Sequence, residues 1–119
     1  MLGYLEEEKK KKQFEMYKGV KELEATRGSV RVEYLEGTYD GQFENQKRTG
    51  SGKFIYGETG DVYVGQWNEN QKSGKGKYTW GNGDAYEGDW RNDLMHGIGK
   101  YTYADTGDVY FGSWVQDER

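Results

Sequence analysis

One five-residue phrase recurs four times along this chain: YDGQF at residues 39–43, YVGQW at 63–67, YEGDW at 86–90 and YFGSW at 110–114. Its opening tyrosines, Tyr39, Tyr63, Tyr86 and Tyr110, are spaced by 24, 23 and 24 residues. A period of that length marks a row of small supersecondary units, each too small to bury its own apolar side chains. A second phrase follows in register, GSGKFIY at 50–56, GKGKYTW at 74–80 and GIGKYTY at 97–103, and each is succeeded by a turn segment, GETGDV, GNGDA or ADTGDV.

Both phrases alternate with period two, so each unit reads as two strands joined by a polar loop. Asn82-Gly83 is a strong turn signal, expected to take positive φ at both positions, and Gly60 and Gly107 hold the same place in the neighbouring units. Alternation puts Tyr86, Gly88 and Trp90 on one face with Gly99, Tyr101 and Tyr103, and turns Glu87, Asp89, Lys100 and Thr102 to the other. One face is aromatic and the other charged. The glycines leave vacant spots in which neighbouring rings lie, which a Cβ would obstruct. The expected fold is mainly β, a single-layer antiparallel meander of stacked hairpins with about eight strands and an N-terminal α-helix. Its divisions are a charged cap over 1–27, a partial unit over 28–38, full units over 39–62, 63–85 and 86–109, and a partial unit over 110–119.

Leu, Ile, Val and Phe make up only about 15% of the chain, a level at which charged sequences usually stay disordered. Eleven Tyr and four Trp offset the deficit, since such rings bury about 150 to 250 Å² each. The absence of cysteine excludes disulfides and thiolate metal sites. No secretory or membrane-length apolar run is present, and a soluble intracellular protein is expected. Residues 34–119 carry 9 basic and 14 acidic groups, a balance that repels phosphate backbones and excludes nucleic acid as the expected partner.

The pattern resembles the MORN repeat (membrane occupation and recognition nexus), with Tyr-x-Gly-x-Trp, a short loop, then His-Gly-x-Gly and an aromatic strand. Tyr86, Gly88, Trp90, His96, Gly97 and Gly99 fit it fully; Thr49 and Ser73 stand where the first two units would carry the histidine, and Phe43 replaces a tryptophan. The resemblance covers roughly residues 28–119. It implies a hairpin array with a role in scaffolding or membrane attachment. Such arrays occur in ciliary radial-spoke heads, in cytoskeletal scaffolds and beside the catalytic domains of lipid kinases and methyltransferases.

At the N-terminus, Glu6, Glu7 and Glu8 precede Lys10, Lys11 and Lys12 by four residues, and Met16, Val20 and Leu23 follow at helical spacing. A helix over residues 5–25 is expected, with a decayed repeat starting at Tyr17 and Gly19 as the rival. RGSVRVEY aligns with TGSGKFIY, which makes Val30 to Tyr34 the first strand. Such a helix would cap the exposed sheet edge. At the other end the chain reaches VQDER with the first strand of a hairpin written and its partner not, so self-association or chain continuation is expected along that strand.

Few residues suggest chemistry. Asp61, Asp84 and Asp108 occupy one equivalent turn position and read as structural. GSGK at 50–53 lacks the spacing and the helix of a phosphate cradle. His96, the sole histidine, has no partners for a triad or metal site and is expected to hydrogen-bond its own turn. No cofactor and no catalysis are expected.

The aromatic face is left to carry function. Eight strands about 4.8 Å apart span about 34 Å in one layer, with no second sheet to cover it. Its rings, Tyr39, Phe43, Phe54, Tyr56, Tyr63, Trp67, Tyr78, Trp80, Tyr86, Trp90, Tyr101, Tyr103, Tyr110 and Trp114, serve the core first. What stays open forms a groove for an amphipathic helix or extended segment of another protein. The primary expectation is a non-catalytic scaffold in a cytoplasmic, cytoskeletal or axonemal assembly. The alternatives are an anionic-lipid module using the outer row Lys53, Lys77 and Lys100, an accessory region of a larger enzyme, and a glycan or choline reader.

Overall fold

Strict alternation of rings and glycine with charged residues suits a half-buried pleated surface, and the computed structural model, which describes residues 29–118, is built from little else. Eight strands, β1 (Val30–Glu33), β2 (Gly37–Glu44), β3 (Lys47–Tyr56), β4 (Val62–Asn68), β5 (Gln71–Thr79), β6 (Ala85–Arg91), β7 (Leu94–Thr102) and β8 (Val109–Trp114), form one sheet in sequential order. Every neighbouring pair is antiparallel. The expected meander and its first strand are present, and no helix occurs among the described residues. The helix expected over 5–25 and the decayed repeat set against it lie outside those residues.

Two kinds of connection alternate. β2–β3, β4–β5 and β6–β7 are joined by Asn45-Gln46, Glu69-Asn70 and Asn92-Asp93, each with positive φ at both positions (46° to 71°), the backbone of a type I′ hairpin turn. At the opposite end β1–β2 closes tightly, Tyr34 N–H donating to the Gly37 carbonyl at 2.7 Å, and the three later connections are longer. Tyr56 N–H donates to the Asp61 carbonyl, Trp80 N–H to that of Asp84 and Tyr103 N–H to that of Asp108. These bonds enclose loops over 57–60, 81–83 and 104–107, and the shorter middle loop accounts for the 23-residue spacing. Asn82-Gly83 is therefore not a two-residue turn: only Gly83 has positive φ, 97°, because the third loop residue alone must bend back into the strand.

The second strand of each hairpin is bulged. Gly41 pairs with Gly52 and Phe43 with Arg48, so three residues of β3 face Gln42 alone; β5 and β7 repeat this opposite Gln66 and Asp89. Gly50, Gly74 and Gly97 turn the bulges at φ of 64° to 74°. The facing side chain stitches each one, Gln42 Oε1 accepting from Ser51 N–H at 2.8 Å, Gln66 Oε1 from Lys75 N–H at 2.8 Å and Asp89 Oδ2 from Ile98 N–H at 3.1 Å. The carboxyl of Asp89 is held below its ordinary range by hydrogen bonding from Lys75 and then from the Ile98 N–H. His96 sits in this bulged stretch of β7 rather than in a loop, and it is its backbone carbonyl that accepts a long bond, 3.4 Å, from Tyr86.

Burial follows the repeat. Tyr39, Tyr63 and Tyr86 are wholly enclosed, each lying across a glycine of the next strand, so that a Cβ on Gly52, Gly76 or Gly99 would meet the phenol oxygen at 2.1 to 2.2 Å. Their hydroxyls donate to the carbonyls of Gln42, Gln66 and Asp89 at 2.6, 2.8 and 2.9 Å. Trp67, Trp90 and Trp114 then reach back one unit, each indole N–H donating to the carbonyl of Gly52, Gly76 or Gly99 at 3.1 to 3.3 Å. Units thus interlock through rings rather than through aliphatic side chains. Past β8 the chain turns again at Gln116-Asp117 and forms the bridge Val115 to Glu118.

Candidate partner-binding face

The fourteen rings separate into two groups. Tyr39, Phe54, Tyr63, Trp67, Tyr86, Trp90 and Trp114 are buried and form the core. Phe43, Tyr56, Tyr78, Trp80, Tyr101, Tyr103 and Tyr110 are half-buried on the same face. Among the latter runs a ladder across three units: Tyr56 to Tyr78 at 5.9 Å between centroids, Tyr78 to Trp80 at 4.7 Å, Trp80 to Tyr101 at 5.2 Å and Tyr101 to Tyr103 at 4.7 Å. All lie within the range of favourable aromatic pairing.

The loop aspartates fix this ladder. Asp61, 9% exposed, accepts from the Tyr78 hydroxyl at 2.6 Å and from the Gly81 N–H at 2.7 Å, both in the following unit. Asp84 does the same one unit later, with Tyr101 at 3.1 Å and the Ala104 N–H at 2.8 Å. The structural role read from their shared turn position is therefore a clamp between units. Burial is the main reason that the Tyr56 and Tyr101 phenols are pushed up to about 12. Tyr78 is pushed up too, by burial first and by its bond to Asp61 second. These hydroxyls keep their protons near neutral pH, and those of Tyr78 and Tyr101 serve as donors.

Two cations share the aromatic face. The alternation that puts Gly52, Phe54 and Tyr56 on it extends back through Gly50 to Arg48, and in β5 through Gly74 to Lys72. The Arg48 guanidinium lies 4.7 Å from the centroid of Trp67 and 5.2 Å from that of Phe54. The Lys72 ammonium lies 5.5 Å from both Tyr78 and Trp90. Both contacts are cation–π in geometry. Extending the alternation two residues past each bulge glycine is the signal by which the sequence places these cations; which rings they cover depends on the next unit.

On the opposite face Lys53, Lys77 and Lys100 are exposed and fall in one cross-strand row, in the order Asp40, Lys53, Val64, Lys77, Glu87, Lys100, Phe111. One carboxylate, Glu87, therefore interrupts the lysine row and another, Asp40, flanks it. Among the described residues no group of three or more His, Asp or Glu gathers to hold a metal.

One open sheet of β-hairpin units, interlocked by rings and presenting a further row of rings on one face, is the architecture of a repeat-built interaction module. The chain belongs to the MORN repeat family, which it matches over residues 39–58, 63–85 and 86–107, just over half of its length. MORN repeats are non-catalytic modules that mediate protein or membrane interactions. No curated protein matches the sequence.

Proposed function

We propose that this array is a non-catalytic scaffold that lays an amphipathic helix or extended segment of another protein along its aromatic face, within a cytoskeletal or axonemal assembly of the radial-spoke type. The observation that carries this is the half-buried ladder Tyr56, Tyr78, Trp80 and Tyr101. It is a continuous apolar strip with polar hydroxyls, and rings of this kind make rigid contact surfaces at low entropic cost. The cellular setting rests on the family resemblance.

The test is capture with the intact chain from ciliated-cell extract, followed by cross-linking to map the bound segment. Stoichiometric cytoskeletal proteins, cross-linked beside Trp80 and lost in a Trp80→Ser/Tyr101→Ser variant, are the expected result. Retention unchanged by that variant would overturn it. A second reading, attachment to anionic lipid, draws on the aligned Lys53, Lys77 and Lys100. Vesicle flotation that persists at physiological salt and falls when all three become glutamate would put it first.

A further inference from the structure

The three units build the same trio of rings, and among the described residues two of the trios hold a cation. Arg48 lies against Phe54 and Trp67 of the first trio, whose third ring is Tyr39, and against Tyr34 of the β1–β2 turn; Lys72 lies against Tyr63, Tyr78 and Trp90. Lys72 also pairs with Asp93 at 3.3 Å, while Asp93 Oδ1 accepts the Lys72 N–H at 2.8 Å. The third trio is congruent, with Trp114 5.2 Å from Tyr86 and 5.8 Å from Tyr101. At the equivalent position stands Met95, which is neutral. Asp117 takes the place of Asp93 and accepts the Met95 N–H at 2.7 Å, yet among the described residues no ammonium or guanidinium reaches its carboxylate. A pocket of about 540 Å³ opens there, walled by the rings of Trp80, Tyr101, Tyr103 and Trp114, with Met95 at its back and Asp117 and Glu118 at its edge.

We propose that this pocket is a cation site for a lysine or arginine side chain of the bound segment. The ring faces match those that Arg48 and Lys72 cover in the first two units, the Asp117 carboxylate stands where Asp93 meets Lys72 with Glu118 beside it, and a soft thioether replaces the internal cation. The inference deepens the scaffold reading and rests on it: the partner carries a basic residue where its segment crosses the third unit.

The test uses the intact chain with Nα-acetyl-lysine methylamide as probe and its Nε-acetylated, uncharged counterpart as control, at constant ionic strength, read by the indole N–H resonance of Trp114. A saturable shift with the charged probe alone is expected. It should vanish in Met95→Lys, which supplies the ammonium internally as Lys72 does, and weaken several-fold in Asp117→Asn. The latter is conservative, because Asn70 accepts the Arg48 N–H in the first unit. Should Met95→Lys fail to fold, Trp80→Leu on the pocket wall must weaken the shift instead. Equal shifts with both probes, or a shift indifferent to Asp117→Asn, would overturn the site. A shift that emerges only in Arg119→Gln would give the pocket to the chain's own arginine and also overturn it. The scaffold reading is judged separately, by capture: retained partners that ignore Met95→Lys remove this inference alone.

Discussion

Replacing Gly76 with alanine should destabilise the array by about 2–4 kcal/mol, through a collision with a single ring. A Cβ there would stand 2.1 Å from the Tyr63 hydroxyl oxygen, 2.5 Å from Cζ and 2.6 Å from Cε1, where contacting heavy atoms keep about 3.5–4.0 Å. The ring must retreat by about 1 Å or more, and it has nowhere to go. Its hydroxyl is bonded to the Gln66 carbonyl at 2.8 Å, and it stands edge-on to Trp67 at 5.1 Å and to Trp90 at 5.5 Å. Retreat forfeits a hydrogen bond worth about 0.5–1.5 kcal/mol and weakens two ring contacts of about 0.5–1.5 kcal/mol each. Gly107 is the control. Its φ is 76° and a Cβ would meet nothing within 4 Å, so Gly107→Ala carries only backbone strain, about 1–2 kcal/mol. Urea unfolding of the intact chain, followed by tryptophan fluorescence, should show a larger fall in midpoint for Gly76→Ala with the slope unchanged. In a Tyr63→Leu background most of the Gly76→Ala cost should disappear. Strict additivity of the two substitutions would show that the ring does not rest on this glycine, and the packing account given for all three units would fail with it.

Three further outcomes are expected. Asp61→Ala should cost about 2–4 kcal/mol because it strips a buried phenol and a loop N–H of their acceptor, whereas Asp108→Ala, exposed and with no following unit among the described residues, should stay within about 0.5 kcal/mol; similar losses in thermal melts would refute the clamp. The Tyr56, Tyr86 and Tyr101 phenols sit at about 12 against an ordinary 10.0, chiefly through burial. Unfolded phenols therefore ionise first, and stability should be complete below pH about 10 and lost as pH climbs toward 12. Circular dichroism and phenolate absorbance should change together in that window, and phenolate rising near pH 10 with the sheet intact would contradict the burial. Arg48→Met should alter stability by no more than about 1 kcal/mol in chemical denaturation, since Arg48 Nε is buried without a partner and removing a buried charge offsets the lost cation–π contact; a loss above about 3 kcal/mol would make the guanidinium a structural keystone.

The repeat made most of the fold legible. Period-two alternation is a local property of the backbone, so Tyr86, Gly88 and Trp90 can be assigned to one face, and Gly99, Tyr101 and Tyr103 to the same one, without knowing what lies beside them. The spacing of the tyrosines likewise counts the hairpins. The candidate face was legible as a set of rings, but not its division into core and strip. Trp114 is buried and Tyr110 half-buried although both belong to the same phrase and the same strand, because Trp114 reaches back over β7, whereas no indole of a following unit lies over Tyr110 among the described residues as Trp90 lies over Tyr63 and Trp114 over Tyr86.

By itself, then, the sequence determined a row of ringed hairpins and the sign of each face. Only the tertiary structure decided how the hairpins grip one another, since that depends on contacts far apart in the chain and on turn geometry that composition does not announce. Glu69-Asn70 takes positive φ at both positions with no glycine to advertise it, because the sheet's twist demands a type I′ turn there. The bulges opposite Gln42, Gln66 and Asp89 set which rings each strand meets, and Asp61 finds Tyr78 and Gly81 17 and 20 residues away. Met95 differs from Arg48 and Lys72 as a plain substitution in the sequence; that it leaves a ring-walled pocket facing Asp117 follows only from the register of β6, β7 and β8.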